Sequence, residues 1–147
     1  MADGFEMLET DHRRVDGLFE NYLHDNDEVI ARDICVALTL HTEIEEAALY
    51  PALRRYVDGG DDLADEAVSE HAAIKTLIAR VYDSPPPSLL DLMAEMRCDV
   101  QVHVQSEESV LFPSMRDAGV DAAELGAALE RARADAEGRG ITRASGT

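Results

Sequence analysis

Histidine and glutamate recur along the chain at spacings that suit metal ligation on helical faces. The pattern His-x-x-x-Glu occurs twice, and each copy places an imidazole beside a carboxylate on one side of a helix. Two more histidines stand alone on apolar faces of other predicted helices. A carboxylate in an apolar core is strongly destabilising unless it is paired, so these groups indicate a buried cation site. The six predicted metal ligands are His12, His41, Glu45, His71, His103 and Glu107.

The chemistry of this donor set favours a reactive centre with two metal ions. Both halves of the chain supply the same ligands, and a carboxylate can bridge two ions. Six side chains leave coordination positions open on two ions, which is typical of a reactive site. Imidazole and carboxylate without thiolate suit iron, manganese or zinc, and the residues alone do not choose among them. The alternative is a set of core histidines that hydrogen-bond to buried glutamates, but the symmetric recurrence of six such residues favours metal.

An internal repeat shows how the ligands are carried. Residues 41–54 match residues 103–116 at a constant offset of 62 positions, and residues 11–19 match 70–78 at an offset of 59. The chain therefore predicts two similar helical hairpins related by approximate two-fold symmetry. Each hairpin contributes one lone histidine and one His-x-x-x-Glu pair.

Apolar residues spaced three or four apart predict helices along most of the chain. A Gly-Gly-Asp-Asp run and a Ser-Pro-Pro-Pro run punctuate them. Four long helices with short connections predict an all-α fold: an antiparallel four-helix bundle of two similar helical hairpins with a short additional C-terminal helix. We assign 1–137 to this single domain and 138–147 to a disordered tail. The predicted helices span about 3–24, 27–57, 62–83, 88–117 and 121–137.

Composition restricts the partners of this domain. The 147 residues hold 13 Lys and Arg against 31 Asp and Glu, a formal net charge of −18. A surface this acidic repels phosphate backbones and anionic lipids, so we expect no nucleic-acid partner and no membrane partner. No apolar run approaches the roughly 18–20 residues that span a bilayer. The N-terminus lacks a secretory signal, and Cys35 and Cys98 lack metal-type spacing, which together favour the cytoplasm.

Together with the Leu-Tyr-Pro and Leu-Phe-Pro segments that follow the two His-x-x-x-Glu pairs, the six ligands make about residues 3–117 resemble the hemerythrin-like (HHE cation-binding) domain. The resemblance implies a four-helix bundle that holds two iron ions in a non-haem di-iron centre. It further implies that Glu45 and Glu107 bridge the ions, together with an oxo or hydroxo group. Members of this family bind or sense oxygen, react with peroxide or nitric oxide, or respond to iron.

Two departures from the oxygen carriers of this family bear on function. The positions four residues either side of His71 are Ala67 and Lys75, where the carriers have a His-x-x-x-His pair. The fourth helix carries His-x-x-x-Glu in place of the His-x-x-x-x-Asp of the carriers. One iron therefore lacks a third imidazole, which disfavours reversible oxygen carriage and favours peroxide chemistry, oxygen chemistry or iron sensing.

These features predict a cytoplasmic non-haem di-iron protein whose open, carboxylate-bridged centre reacts with small oxidants. Hydrogen peroxide is the leading substrate, with O2 and NO as further small-molecule ligands. Turnover would make the protein a catalase-like or peroxidase-like oxidoreductase. The alternatives are an oxygen- or iron-sensing module without turnover, and an iron-handling or zinc-stabilised structural bundle.

Further residues close in sequence to the predicted ligands also have expected roles. Tyr50 is the candidate catalytic residue, because its hydroxyl could donate a proton or hydrogen bond at the metals, or ligate iron. Phe112 takes the matching position in the second hairpin, and the proline after each ring predicts a local kink. The residues expected on the solvated surface are Glu9, His24, Glu46 and Glu108. The alternatives are contact with a metal for Glu9 and His24, and support of the ligands from a second layer for Glu46 and Glu108.

Overall fold

The computed structural model describes residues 2–140, and nearly all of them are helical. Helices follow from the three-to-four spacing of apolar residues, which gives each segment one face to bury. In chain order the elements are α1 (Gly4–Asp25), α2 (Glu28–Ile44), the π-helical segment π1 (Glu45–Leu49), α3 (Tyr50–Tyr56), α4 (Gly60–Asp83), a 3-10 turn (Pro86–Ser88), α5 (Leu89–Ser106), the π-helical segment π2 (Glu107–Leu111), α6 (Phe112–Asp117) and α7 (Ala122–Gly138).

The long helices form a bundle of two hairpins, which confirms the predicted all-α fold. Helix α1 packs against α2 in the first hairpin, and α4 packs against α5 in the second. The hairpins meet through contacts of α2 with α4 and of α1 with α5. Within residues 2–140, every helix is too short or too polar to cross a bilayer.

The helix ends follow local capping chemistry. The side chain of Asp3 accepts hydrogen bonds from the backbone N–H groups of Phe5 and Glu6, so α1 begins where the sequence predicted. Asn26 ends α1 in the left-handed conformation, with φ of 51°. Helix α4 begins at Gly60, two residues earlier than predicted. A Cβ at Gly60 would lie 2.1 Å from the carbonyl oxygen of Leu53, so only glycine fits this close approach of α3 to α4.

Two π-helical segments interrupt the long helices immediately before the prolines. Pro51 and Pro113 have no N–H to donate, which weakens the regular helical ladder around them. The preceding residues, Tyr50 and Phe112, instead donate their N–H groups five residues back, to the carbonyls that begin π1 and π2. The expected kinks therefore take the form of one wide turn in each hairpin. Both wide turns begin at a glutamate of the predicted metal site.

The apolar core is divided into two clusters along the bundle axis. One cluster is centred on residues such as Phe19, Ile34 and Met96, and the other on residues such as Leu8 and Leu53. On α1 and α4, and along α5 and π2, the predicted ligands lie between residues of these two clusters, whereas on α2 His41 directly follows Leu40 of the second cluster. The core thus closes on the polar groups from both ends of the bundle.

Helix α7 covers one side of the bundle and contacts α1, α2 and π1. Its buried residues are Leu125, Gly126, Leu129 and Ala136. A Cβ at Gly126 would lie 2.3 Å from the carbonyl oxygen of Ala2, so the glycine permits a close crossing with the start of the chain. The helix continues to Gly138, and most of the predicted tail, 141–147, lies outside the described residues.

Candidate metal centre

The fold brings the six predicted ligands together in the middle of the bundle. None of these side chains belongs to a residue more than 6% exposed. They form two groups of four, in which one ligand atom from each residue lies within 4.8 Å of the others. Site A consists of His12, His41, Glu45 and Glu107, and site B consists of Glu45, His71, His103 and Glu107.

Both glutamates face both sites. Glu45 directs one oxygen to Nε2 of His41 and the other to Nε2 of His71, each at 3.0 Å. Glu107 directs one oxygen to Nε2 of His12 and the other to Nε2 of His103, each at 3.1 Å. This is the arrangement in which two carboxylates can bridge a pair of cations.

A second layer of carboxylates orients the histidines. Every Nδ1 of the four imidazoles lies near an acidic oxygen, and an ionised carboxylate can only accept a hydrogen bond. Each Nδ1 therefore carries the proton, and the lone pair of each Nε2 points into the centre. The Nδ1–H groups donate from His12 to Glu108 at 2.6 Å, from His41 to Asp11 at 3.3 Å, from His71 to Glu46 at 2.8 Å and from His103 to Glu70 at 2.6 Å.

These outer carboxylates correct one expectation from the sequence. Glu46 and Glu108 were expected to be exposed, but both are half-buried and hold histidines of the centre. Asp11 and Glu70 were not predicted to have a role. The repeat could have predicted the roles of these acids, because in both hairpins one acid precedes the lone histidine and another follows the glutamate of the His-x-x-x-Glu pair.

The convergent Nε2 lone pairs fit cations. Nε2 of His12 lies 3.2 Å from Nε2 of His41, and Nε2 of His71 lies 3.0 Å from Nε2 of His103. In site A one fully buried oxygen of each glutamate has no hydrogen-bond partner. Buried lone pairs and unpartnered carboxylate oxygens in contact are strongly destabilising, and a divalent cation in each site would satisfy them.

Protons take the place of cations when metal is absent. Burial lowers the pKa of His12, but the nearby carboxylates of Glu107 and Glu45 outweigh this effect and raise the pKa to about 10. The same competition raises the pKa of His103 to about 11, and that of His41, beside Glu45, to about 9. Burial raises the pKa of Glu45, yet the surrounding histidines hold it well below its usual range. Metal binding therefore has to displace protons from the centre.

Tyr50 makes the two sites different. Its buried hydroxyl donates to Oε2 of Glu107 at 2.7 Å and lies 2.9 Å from Nε2 of His71. Burial, together with the negative charge of both glutamates, raises the pKa of Tyr50 far above its usual range, so the phenol stays protonated. At the matching position of site A, Phe112 stacks on the ring of His12 and offers no hydroxyl.

Other residues considered in the sequence lie away from the centre. The side chain of His24 is 88% exposed and pairs with Asp25. Glu9 is half-buried and belongs to neither site. Cys35 is buried, which raises its pKa to about 12, and Cys98 is exposed; both are free thiols.

Two spaces lead toward the centre. A cleft of about 340 Å³ between α1 and α5 reaches His12 and Glu108 from the surface. A small enclosed cavity lies deeper, against His12, His41 and His103, and its remaining lining is mostly aliphatic. Val100 and Val104 line both spaces. The deeper cavity, with a volume of about 10 Å³, has room only for a very small molecule.

Comparison with known proteins identifies the family. A family model described as the Hemerythrin HHE cation binding domain matches residues 3–86, a shorter span than the resemblance covers. A crystal structure titled as a hemerythrin HHE cation binding domain-containing protein, an Rv2633c homolog from Mycobacterium kansasii, superposes with a TM-score of 0.77 and 22% identity. The match covers 97% of this chain and 94% of that one, and it supports the fold.

A relative from Nostoc sp. (strain PCC 7120 / SAG 25.82 / UTEX 2576), named DNA nickase, is 30% identical over 118 residues. The match covers 76% of this chain, which spans about a third (33%) of the relative. The family model covers more than half of the chain, and the histidine and glutamate groups at the centre can bind metal. The chain therefore belongs to the hemerythrin HHE cation-binding domain family.

Proposed function

We propose that this protein holds two iron ions between its four histidines and two glutamates and reacts there with small oxidants, above all hydrogen peroxide. One observation carries the proposal: Glu45 and Glu107 each present one oxygen to site A and one to site B. The two donor sets are equivalent in composition, so each of them can hold one cation.

The number of donors favours iron and defines the main alternative. Each site offers two imidazole nitrogens and two carboxylate oxygens. Four donors satisfy tetrahedral zinc and would leave a closed, structural site. Iron accepts more ligands, so the same four donors would leave positions open for a small molecule. Metal content therefore separates the catalytic proposal from a zinc-stabilised bundle.

Iron held by the four histidines and two glutamates would supply two-electron redox chemistry, in which two H2O2 become two H2O and one O2. The protein groups prepare this reaction. The two glutamates hold the sites at a fixed spacing, and the outer carboxylates fix the tautomer of each imidazole. Tyr50 keeps its proton in contact with both glutamates of site B, which makes it the proposed proton donor. The aliphatic cavity beside the histidines excludes large and charged molecules.

The proposed partner is a small molecule. The net charge of −18 disfavours a phosphate backbone, and the nickase relative is about three times as long as the region it shares with this chain. The activity named for that relative is therefore not part of the proposed function. Free thiols and the acidic composition are compatible with the proposed cytoplasmic location.

The test combines metal analysis with turnover. We expect two iron ions per chain and rapid loss of hydrogen peroxide with release of O2 from the iron-loaded protein. His41→Ala, which removes a ligand of site A, should lower the iron content below two ions per chain and abolish turnover. His24→Ala, which alters an exposed histidine outside the centre, should change neither. Turnover no faster than that of the same amount of free iron would refute the catalytic proposal. A reversible spectral change with O2 and no turnover would favour a sensing module instead.

A further inference from the structure

The four outer carboxylates are not held alike, although the repeat makes them equivalent in sequence. Asp11 and Glu70 occupy matching positions, and each accepts an Nδ1–H from a histidine on the neighbouring helix of its hairpin. The bond from His103 to Glu70 is 2.6 Å long, and within residues 2–140 no basic side chain pairs with Glu70. The bond from His41 to Asp11 is longer, at 3.3 Å.

A residue outside the bundle completes the weaker of these two pairs. Arg133 on α7 donates to Oδ2 of Asp11 at 2.8 Å, and this is the same oxygen that faces His41. Both side chains are mostly buried, with 27% of Arg133 and 18% of Asp11 exposed. Without the guanidinium, the Nδ1–H of His41 would compete with water for the Asp11 carboxylate through a bond of 3.3 Å. Arg133 therefore restricts the rotamers of Asp11, and Asp11 restricts the ring of His41.

We propose that Arg133 is a positioning residue for site A, so that docking of α7 and occupancy of site A are coupled through Asp11 and His41. A carboxylate that holds the far nitrogen of a ligating imidazole fixes its tautomer and orientation and raises its basicity. Coupling of this kind is reciprocal: a metal at site A must stabilise the docked α7 as much as α7 stabilises the metal. The inference rests on the proposed function, because it requires both sites to bind metal.

The experiment uses Zn2+ as a redox-inert probe, titrated into the metal-free full chain in competition with a chromophoric chelator. We expect Arg133→Ala to weaken binding at one of the two sites by about tenfold or more, within the range typical of such supporting groups, and to leave the other site unchanged. Arg133→Lys should restore part of the affinity. Arg139→Ala is the matched control, because Arg139 also lies against the bundle beside α7 and pairs with Glu43 on α2 without reaching a histidine.

Double substitutions assign the effect to a site. The loss caused by Arg133→Ala should persist when site B is disabled by His103→Ala and should vanish when site A is disabled by His41→Ala. In the zinc-loaded protein, Arg133→Ala should also accelerate solvent exchange of the His41 Nδ1–H, observed by NMR, and spare the corresponding proton of His103.

Each result bears on a different claim. An equal loss of affinity in Arg139→Ala would show that α7 acts only as a cover, and an equal loss at both sites would show that Arg133 acts on general stability; either result would overturn the inference. Two tight sites in the unsubstituted protein that are unaffected by Arg133→Ala would also overturn it and leave the proposed function intact. An unsubstituted protein that binds neither zinc nor iron would refute the proposed function itself.

Discussion

Replacing Tyr50 with phenylalanine would make site B resemble site A, where Phe112 occupies the matching position. In the metal-free protein the Tyr50 hydroxyl donates to a buried carboxylate of Glu107 at 2.7 Å. A hydrogen bond to a charged group contributes roughly 1.5–3 kcal/mol, so Tyr50→Phe should lower the free energy of unfolding by about 2 kcal/mol. For a chain of this size that corresponds to a fall in Tm of about 4–8 °C.

The metal-loaded protein should respond less. A cation in site B would satisfy the same oxygen of Glu107, so the hydroxyl would no longer be its main partner. We therefore expect the loss of Tm to be smaller with iron or zinc bound than without, while peroxide turnover falls because the proposed proton donor is gone. Calorimetry of metal-free and loaded proteins measures the first effect, and oxygen release measures the second.

Tyr56→Phe provides the control for this substitution. Tyr56 lies on the same short helix, α3, and is 46% exposed, so removing its hydroxyl should change neither stability nor turnover. If Tyr50→Phe costs more stability in the loaded protein than in the metal-free protein, Tyr50 is a metal ligand and its proposed role is wrong. No loss in either form would show that the hydroxyl does not bond to Glu107.

Three further predictions test the electrostatics, the packing and the outer carboxylates. His12, His41 and His103 have raised pKa values, so their contribution to metal-free stability is full below about pH 6.5 and is lost as pH rises through about 9–11. Glu45, whose pKa is lowered, acts in the opposite direction below its usual pKa. Calorimetry should therefore show the gap in Tm between metal-loaded and metal-free protein widening from pH 6 to pH 9, and a constant gap would contradict the reasoning. Gly60→Ala should destabilise the fold by about 1–3 kcal/mol in chemical denaturation, because the added Cβ would overlap Leu53. The control is Gly17→Ala on an open helical face, which should stabilise the fold by about 0.5–1 kcal/mol. Glu108→Gln should weaken metal retention about tenfold in chelator competition. Unchanged retention would show that Glu108 does not support metal binding by His12.

The main features of the centre were predictable because they depend on local spacing. An i, i+4 pair such as His41 and Glu45 shares a helical face in any helix, and the repeat then supplies the second pair. The outer carboxylates were harder to predict, because contact between Asp11 and His41 depends on how α1 is rotated against α2. The position of Arg133 depends on how α7 docks against the bundle, and the weak apolar stripe of α7 is too little to predict that docking.

The π segments explain why Tyr50 could not be placed from spacing alone. A regular helix rotates about 100° per residue. One extra residue in a turn therefore changes the direction in which all following side chains point. Glu45 begins π1 and Tyr50 follows it, so the wide turn lies between the bridging glutamate and the ring. It brings the hydroxyl to 3.3 Å from Oε1 of the same Glu45.

The two hairpins share their histidines, two glutamates and outer acids, but several residues that differ between them lie at the edges of the centre. Site B receives the hydroxyl of Tyr50, and Lys75 pairs with Glu46, the acid that holds His71. Site A receives an aromatic ring without a hydroxyl, and Asp11, the acid that faces His41, pairs with a guanidinium from α7. Duplication thus accounts for a paired centre, whereas these unshared contacts give the two sites different surroundings. For the proposed two-electron reaction such a difference would matter, because a small oxidant would meet one site with a proton donor beside it and another without.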